Sequence, residues 1–330
     1  MIERNQVEIC LFLQKEFLPK KSDFLIKHGE WLHKGNNNRF VLVLNEKIIG
    51  YFGIIPTKVY WKDSIKDAFW WIDLIITKEY RGRGYQSIVD HYIQNRPEIK
   101  LGFPNKFAAE IHKKHHWNVS DHLKVMLFPI KPSKSSFINE KYSSFGALLN
   151  ILVKPLIFFR NHSMSKWSYQ DSQPKLESYV ELYNKSHKDY NGTYKDLDYF
   201  KWRFFDSPLK HEYDFYFCKK SQNIQIALIL RKTESSKGVN YRIVDMFGHI
   251  EVVSAFKDVM KLVISNAIKG GVNQITIMES NKTLQKILFS LGFIFFTKGR
   301  FCFMPNSQDE LDIEEKMRWT LSDSDNDFLD

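Results

Sequence analysis

The sequence is poor in cysteine and starts without an apolar leader. Its three cysteines, Cys10, Cys218 and Cys302, stand far apart in a chain of 330 residues. They form neither a disulfide framework nor the paired spacing of a structural zinc site. The first ten residues carry charges and lack the apolar core of a signal peptide. We therefore expect no metal and a reducing, cytoplasmic location.

Long apolar runs are also missing. The most apolar segment, Phe145 to Phe159, is interrupted by Asn150, Lys154 and Pro155. A bilayer-spanning helix needs ~20 apolar residues, so we expect a core or interdomain helix within a linker at 132–174. Interfacial membrane contact is the less favoured alternative.

Charge is abundant and unevenly placed. The formal net charge is +10, but the segment 309–330 holds nine acidic and two basic residues, which leaves +17 on the rest. We expect an acidic C-terminal tail at 309–330 and a basic body that binds polyanions. The lysines are dispersed without flanking stacking aromatics, so nucleic acid is disfavoured, and CoA or a sugar nucleotide fits better.

The pattern of residues 68–96 predicts a strand, a turn and a helix in succession. Ala68 to Ile76 is aromatic and β-branched, which predicts a buried strand. Ser87 to Arg96 has apolar residues at helical spacing. The turn between them, Arg81-Gly-Arg-Gly-Tyr-Gln86, combines flexible glycines, free N–H groups at a helix start and two guanidinium groups. This combination predicts a pyrophosphate ligand, although neither the Walker loop nor the dinucleotide fingerprint is present.

The turn resembles the acyl-CoA signature of the GNAT N-acyltransferase superfamily, Arg/Gln-x-x-Gly-x-Gly/Ala. Arg81 and Gly84 match, and Gln86 departs from the small final residue. The resemblance implies that acyl-CoA is the co-substrate. It would be held by Arg81, Gly82, Arg83, Gly84, Tyr85 and Gln86. The alternative is an ordinary surface turn.

A second GNAT signature, Asn-x-x-Ala followed by Tyr and Gly-Phe, lies further along. Asn105 and Ala108 match, His112 stands at the Tyr position, and His116-Trp117 replace Gly-Phe. The family tyrosine often protonates the departing CoA thiolate, so the resemblance implies that Asn105 belongs to the cofactor site and His112 is the acid. The alternative for His112 is a partly buried helix residue.

The central strand supplies two further expectations. In GNAT proteins a main-chain N–H of this strand binds the thioester carbonyl oxygen, which implies a role for the region from Leu74 to Ile76. Asp73 is the one ionisable residue in this apolar strand, so it needs a partner or a raised pKa, and either suits a general base. The family base position holds Trp70 here, and a structural aspartate is the alternative.

The second half repeats the pattern in weaker form. Asn281 opens a helix that leads to Gly292-Phe293, as in the second signature, and Tyr241 to Phe247 matches the central strand. No Arg-x-x-Gly-x-Gly follows that strand. We therefore predict an α/β (α+β) fold with two tandem GNAT-like domains, each a mixed, mostly antiparallel sheet flanked by helices. The domains are 1–131, binding acyl-CoA, and a degenerate 175–308, for acceptor binding or support.

Tandem GNAT chains of this length resemble bacterial nucleotide-sugar N-acyltransferases of the dTDP-3-amino-3,6-dideoxygalactose N-3-hydroxybutyryltransferase type. The likeness rests on Gly102-Phe-Pro-Asn105, Phe200-Lys-Trp-Arg203 and the segment 319–325. It implies transfer of an acetyl or 3-hydroxybutyryl group to a dTDP- or UDP-linked amino sugar for surface polysaccharide. It would place Trp71, Trp202, Arg203 and Trp319 at the acceptor.

Other functions compete with this one. A peptide, polyamine or aminoglycoside acceptor would favour an acidic groove, which the basic body disfavours. A tRNA-dependent transferase is disfavoured because that group lacks the CoA loop. A non-catalytic acyl-CoA-binding protein is a different class, and an assay for released thiol separates it from the enzymes. The sequence leaves the sugar, the acyl chain and the oligomeric state open.

Overall fold

The structure is a computed structural model that describes residues 6–61, 64–135, 168–171, 175–186, 190–220, 223–235, 237–249, 252–305 and 317–325. Most of the expected linker at 132–174, with its apolar segment 145–159, lies outside the described residues. Of the expected acidic tail at 309–330, only 317–325 is described.

The first half of the chain forms two helices, three long strands and then alternating helices and short strands, in the order expected from the sequence. These elements are α1 (Gln6–Glu16), α2 (Pro19–Leu32), β1 (Arg39–Leu44), β2 (Lys47–Trp61), β3 (Ser64–Ile76), α3 (Tyr85–Gln94), β4 (Ile99–Gly102), α4 (Lys106–Lys114), β5 (Asn118–Ser120) and β6 (Lys124–Pro129).

The second half repeats this order with different lengths. Its elements are β7 (Ser168–Asp171), α5 (Leu176–Ser186), β8 (Gly192–Thr193), α6 (Leu197–Phe200, continued by a π-helical turn at Lys201–Phe205), β9 (Tyr213–Lys220), β10 (Asn223–Ser235), β11 (Gly238–Gly248), α7 (Val253–Lys269), β12 (Gln274–Glu279), α8 (Lys282–Leu291), β13 (Ile294–Lys298) and β14 (Phe301–Met304).

The chain divides into two compact units that are not continuous in sequence. The first unit contains residues 1–120, 300–315 and 324–330, and the second contains 121–299 and 316–323. The sequence had suggested continuous domains at 1–131 and 175–308. The described part of the C-terminal segment is thus shared, because Met317 to Asp323 belongs to the second unit and Ser324 and Asp325 to the first.

The first unit is built on a sheet with the strand order β1-β2-β3-β4-β14-β5. Only β3 and β4 pair in parallel, and the other neighbours in this order are antiparallel. The aromatic run of β3 is buried because its side chains pack on both faces of the sheet. Helix α3 contributes Val89 and Ile93, which share one helix face and join the same core as Phe69 and Trp71.

The second unit has a sheet with the order β13-β6-β12-β11-β10-β9-β7, in which β11 and β12 are parallel. Its core is formed largely by α7, through residues such as Phe256, Val259 and Val263, which pack against the strands. The repeat inferred from the sequence is therefore present as two sheets of the same kind.

Strand β6 corrects one expectation about the first domain. The sequence placed it as the last strand of that domain, but it pairs with β12 and β13 in the second sheet. Strand β14, from the end of the chain, lies in the first sheet between β4 and β5. An apolar alternating pattern specifies that a segment is a strand but does not specify its partner.

Candidate functional site

Strand β3 carries a β-bulge at Asp73 and Leu74, close to its C-terminal end. Gly53 of β2 lies opposite Ile72, and Tyr51 lies opposite Ile75, so Asp73 and Leu74 together oppose Phe52. Asp73 has a φ of +60°, a left-handed conformation that few residues other than glycine, asparagine and aspartate adopt. Bulges of this kind redirect a strand and its side chains and are frequent next to functional sites.

The same strand loses its parallel partner before the bulge. Pairing between β3 and β4 covers only Ala68 to Trp70. In the described part of the chain, no other strand pairs with the β4-facing edge from Trp71 to Ile76. An unpaired strand edge presents backbone N–H and C=O groups to an extended ligand. This edge is therefore open to a ligand arm that carries amides.

The turn after β3 leads directly into α3. Gly82 and Gly84 have φ angles of +75° and +83°, and a Cβ atom on either glycine would meet open space. Gly84 is the N-cap residue of α3 and offers no side-chain hydrogen bond. The N–H of Ser87 donates to the Gly84 carbonyl oxygen, which leaves the N–H groups of Tyr85 and Gln86 without an acceptor inside the helix. The Nε atom of Arg81 donates to the carbonyl oxygen of Ile76 at 2.7 Å, which fixes this guanidinium beside the strand end.

Aromatic rings organise the rest of this turn. The guanidinium carbon of Arg83 lies 5.7 Å from the centre of the Tyr80 ring. The rings of Tyr80 and Tyr85 meet edge to face at 5.9 Å. Together with Arg81, these residues place two cations next to an uncapped helix N-terminus, which is an arrangement that attracts phosphate groups.

At the equivalent strand end of the second unit, the glycine is tightly packed. Gly248 ends β11 with a φ of +107°, and a Cβ atom there would lie 2.3 Å from the carbonyl oxygen of Gln225. Only a few residues separate Gly248 from α7, and none of them is arginine. The open glycine turn with its arginines thus belongs to the first unit alone.

Asp73 is held by a lysine and a second carboxylate. Its Oδ1 atom lies 2.7 Å from Nζ of Lys21, which also contacts Oδ2 of Asp325 at 3.0 Å. The Oδ2 atom of Asp73 is buried and has no hydrogen-bond partner among the described residues. Burial, with a smaller contribution from Asp325, raises the pKa of Asp73 to about 6 against the opposing effect of Lys21.

His112 lies in an aromatic environment. Its ring is 4.6 Å from that of Trp117 and 5.3 Å from that of Trp71. Its Nδ1 atom is buried without a hydrogen-bond partner in the described part of the chain. Burial lowers the pKa of His112 to about 4, so the ring is neutral near pH 7. The structure does not test the proton-donor role that the sequence suggested.

Solved structures resemble this chain over nearly its whole length. A GCN5-related N-acetyltransferase from Anabaena variabilis is 15% identical, with a TM-score of 0.61 over 93% of this chain and 71% of that one. A probable N-acyltransferase from Enterococcus faecalis is 11% identical, with a TM-score of 0.62 over 95% of this chain and 73% of that one.

The fold is GNAT-like. Saccharomyces cerevisiae N-myristoyltransferase, solved with bound myristoyl-CoA, shares the fold at 9% identity, with a TM-score of 0.59 over 94% of this chain and 84% of that one. No family model matches the sequence. No curated protein matches it either.

In this GNAT-like fold, the asparagine of the second signature, Asn105, is a helix N-cap. The side-chain oxygen of Asn105 accepts the N–H of Ala108 at 2.9 Å, and Asn281 caps α8 through the N–H groups of Thr283 and Leu284. The Asn-x-x-Ala spacing therefore matches an N-cap bond to the third helical residue. In both units the asparagine side chain already has this structural task.

The acceptor residues expected from the sequence are mostly in the interior. Trp71, Arg203 and Trp319 are each less than 10% exposed, and Nε of Arg203 donates to the carbonyl oxygen of Ser322. Trp319 is therefore buried in the described part of the C-terminal segment. Trp202 is partly exposed and lies beside the Arg203 guanidinium, so it alone of the four offers a substantial ring surface.

The second unit of this GNAT fold repeats the aspartate–lysine arrangement, which sequence reasoning missed. Nζ of Lys195 contacts Oδ2 of Asp245 at 2.8 Å and Oδ1 of Asp323 at 2.9 Å. Asp245 lies on β11 beside a register shift, as Asp73 does on β3. Aligning Ile72-Asp73-Leu74 with Val244-Asp245-Met246 would have revealed the matching aspartates. Nothing in the sequence indicated that Lys21 and Asp325 meet.

A groove of about 520 Å³ also adjoins the end of β3. It lies on the β2 side, between α1, the start of β2 and the turn at Thr77 to Tyr80. The open edge of β3 is on the opposite, β4 side, so this groove is separate from the strand edge described above. Among the described residues, no group of side chains is suited to a metal ion, and no helix is long and apolar enough to cross a membrane.

Proposed function

We propose that this protein is an acyl-CoA-dependent N-acyltransferase whose CoA site is in the first unit. One observation carries the proposal: an open strand edge and a bulge on β3 are followed directly by a glycine turn at the start of α3. The neighbours that share the fold include N-acetyltransferases and a myristoyl-CoA-binding transferase, which supports the reaction class.

The pyrophosphate, the pantetheine arm and the thioester of acyl-CoA would each meet a different feature of β3 and the turn that follows it. The pyrophosphate would lie on the N–H groups at the start of α3, between Arg81 and Arg83, where charge-assisted hydrogen bonds are strongest. The pantetheine arm carries two amides and would extend along the free edge of β3. The thioester carbonyl would then meet a main-chain N–H between Leu74 and Ile76, where developing negative charge needs a donor.

The reaction we propose is direct attack in a ternary complex. The neutral amine forms a C–N bond to the thioester carbonyl carbon, the C–S bond breaks, and CoA leaves as a thiolate. Asp73 accepts the proton from the attacking nitrogen, through an oxygen that has no other partner among the described residues. His112 is the proposed proton donor to the thiolate. Because its ring is neutral near pH 7, it must first take up a proton from solvent, which the negative charge developing on the sulfur favours by raising the pKa of the ring.

We further propose a nucleotide-linked amino sugar, linked to dTDP or UDP, as the acceptor. The basic body of the chain suits a diphosphate, and the partly exposed ring of Trp202 suits a nucleobase. The product would then enter surface-polysaccharide biosynthesis. The second unit, whose central strand ends in the tightly packed Gly248, would serve acceptor binding or support.

The test is an assay of released thiol with purified protein. Acetyl-CoA and 3-hydroxybutyryl-CoA are each offered with dTDP- and UDP-linked amino sugars, and with a peptide amine, spermidine and an aminoglycoside as competing acceptors. We expect thiol release and an acylated product by mass spectrometry with a nucleotide sugar. Release with another amine alone would overturn the acceptor proposal. Binding of acyl-CoA without release for any acceptor would favour a non-catalytic binding protein.

A further inference from the structure

Each unit contains one buried lysine between two carboxylates, and the two trios correspond. Lys21 lies between Asp73 and Asp325 in the first unit, and Lys195 lies between Asp245 and Asp323 in the second. In each trio one aspartate comes from the central strand at a register shift. The other comes from the short segment Asp323-Ser324-Asp325.

The central-strand aspartate of the second trio, Asp245, has hydrogen bonds on both of its oxygens, whereas Oδ1 of Asp323 has only the ion pair with Lys195 among the described residues. Oδ2 of Asp245 accepts hydrogen bonds from Lys195 and from the Ser322 hydroxyl, and its Oδ1 accepts the N–H of Met246. Oδ2 of Asp323 accepts the N–H of Thr320. All three charged side chains are at most 2% exposed. No oxygen of Asp245 is left to accept a proton from a substrate, so this trio has a structural task.

The trio of the first unit differs at its central-strand aspartate. Asp325 is satisfied, because its two oxygens accept from Lys21 and from the Ser324 hydroxyl. Asp73 bonds Lys21 through Oδ1, while its Oδ2 is buried with no partner among the described residues. A buried carboxylate oxygen without a donor is costly for a folded protein, and such sites are candidates for function.

We propose that Lys21 and Asp325 are positioning residues that set the proton affinity of Asp73, and that the corresponding trio of Lys195 only stabilises the fold. The inference rests on the proposed acyl transfer, in which Asp73 takes the proton of the attacking amine. Lys21 holds the carboxylate through one oxygen and leaves the other for the amine. Asp325 prevents Lys21 from fixing Asp73 in the ionised form.

The groups around Asp73 come from every element packed against it. Lys21 on α2 and Arg39 on β1 favour the carboxylate, while Asp325 and burial favour the protonated acid. Tyr51 on β2 and His33 after α2 are uncharged at neutral pH, since burial raises the pKa of Tyr51 to about 12 and lowers that of His33 to about 4. Burial has the largest effect on the pKa of Asp73, and among the charged groups Lys21 and then Asp325 have the largest effects.

Removing the negative charge of Asp325 and removing the positive charge of Lys21 should shift the pH midpoint of the rate in opposite directions. A purely structural role of the two residues would not predict this. The rate of acyl transfer should rise with pH as Asp73 ionises. In Asp325→Asn the midpoint of this rise should move down by on the order of one pH unit, because a like charge is lost. In Lys21→Met it should move up, because the opposite charge is lost. Lys21→Arg should restore a midpoint near that of the wild type.

The matched control is Asp323→Asn, which removes the corresponding carboxylate of the second unit two positions away. It should lower the melting temperature and leave the midpoint unchanged. If it does not fold, Glu212→Gln, which breaks an ion pair with Arg231, replaces it as a charge-matched control. Equal midpoints in wild type, Asp325→Asn and Lys21→Met, or shifts in the same direction, would overturn the proposal.

A second measurement is independent of catalysis. Carbon NMR of ¹³C-labelled aspartate side chains, with the Asp73 signal assigned from Asp73→Asn, follows the titration without any substrate. Asp325→Asn should again lower the midpoint and Lys21→Met should raise it. If these shifts appear but no acceptor yields thiol, the tuning of Asp73 stands and the proposed function fails. If thiol is released but Asp73 does not shift, the trio proposal fails alone.

Discussion

At the scale of single residues, Asp73 combines an unusual backbone with an unusual charge. Its φ of +60° is tolerated by asparagine, so Asp73→Asn isolates the carboxylate. If Asp73 is the base, we predict a fall in kcat by roughly 10²–10⁴, with little change in melting temperature.

A second substitution separates the backbone from the carboxylate. Asp73→Ala removes the same charge but should also cost about 1–2 kcal/mol in the free energy of unfolding, because alanine resists the left-handed conformation. Near-normal kcat in both variants would mean that water and the backbone carry the proton transfer.

His112 makes a testable contribution to stability through its low pKa. Its pKa falls from 6.5 to about 4 on folding, so the unfolded chain binds more protons between these values. The stabilisation is therefore present above pH 6.5 and is lost as the pH falls towards 4. We predict that His112→Phe gains about 2 kcal/mol over the wild type between pH 7 and pH 5, as an upper value.

Urea unfolding at both pH values measures this change. Ile54→Val is the control, because it alters the same apolar core without a titrating atom, and its effect should not depend on pH. A His112→Phe effect that is equal at pH 5 and pH 7 would contradict the buried neutral histidine. A fall in kcat in the same variant, at unchanged stability, would support the proton-donor role.

At the scale of secondary structure, local patterns predicted most elements but not the bulge. The strand at Ala68 to Ile76 is part of β3, and the helix expected at Ser87 to Arg96 is α3, two residues earlier. The bulge depends on how Asp73 and Leu74 pair with β2, and pairing register is a tertiary property that a single strand's sequence does not contain.

The glycine turn allows a prediction that separates strain from ligand binding. Gly84→Ala places a methyl group in the open space of the turn, so we expect weaker acyl-CoA binding as well as a loss of stability. Gly35→Ala is the matched control, because Gly35 also has a positive φ and open surroundings but lies outside the turn. It should lose stability and keep its acyl-CoA affinity. Equal affinities in the two variants would remove the turn from the site.

At the scale of the whole molecule, neither unit is formed by one continuous stretch of chain, because residues 300–305 belong to the first unit and β6 belongs to the second. This predicts that the fragment 1–131 does not unfold cooperatively, because its sheet lacks β14 between β4 and β5. The apolar β6 would also be left without its partners β12 and β13. Circular dichroism during thermal unfolding measures this.

A chimera provides the control. Ser120 pairs with Phe301 in antiparallel register, so joining 6–120 to 301–305 through Asn-Gly should form a hairpin and restore the sheet. A sharp transition in fragment 1–131, or none in the chimera, would contradict the assignment of β14 to the first unit.

The candidate site was only partly predictable from the sequence, because some of its residues are neighbours along the chain and others meet only in the folded protein. Residues that are neighbours in sequence, such as Arg81 to Gln86, were found from the pattern. Partners such as Lys21 and Asp325 are 304 positions apart, and only the folded chain brings them together. The interior positions of Trp319 and Arg203 were likewise not predictable, because the polar neighbours of Trp319 and the charge of Arg203 both suggest exposure.

The most direct test of the acyl-CoA site is an equilibrium titration of acetyl-CoA into the wild type, Arg81→Ala and Lys58→Ala. Lys58 is exposed on β2 outside the turn, so both variants lose one positive charge and only one loses a group of the proposed site. We predict one CoA bound per chain and a loss of ~1.5–3 kcal/mol for Arg81→Ala, which is roughly a 10- to 150-fold rise in Kd. Lys58→Ala should bind like the wild type. No binding by the wild type, or equal Kd values for the two variants, would contradict a CoA site on this turn.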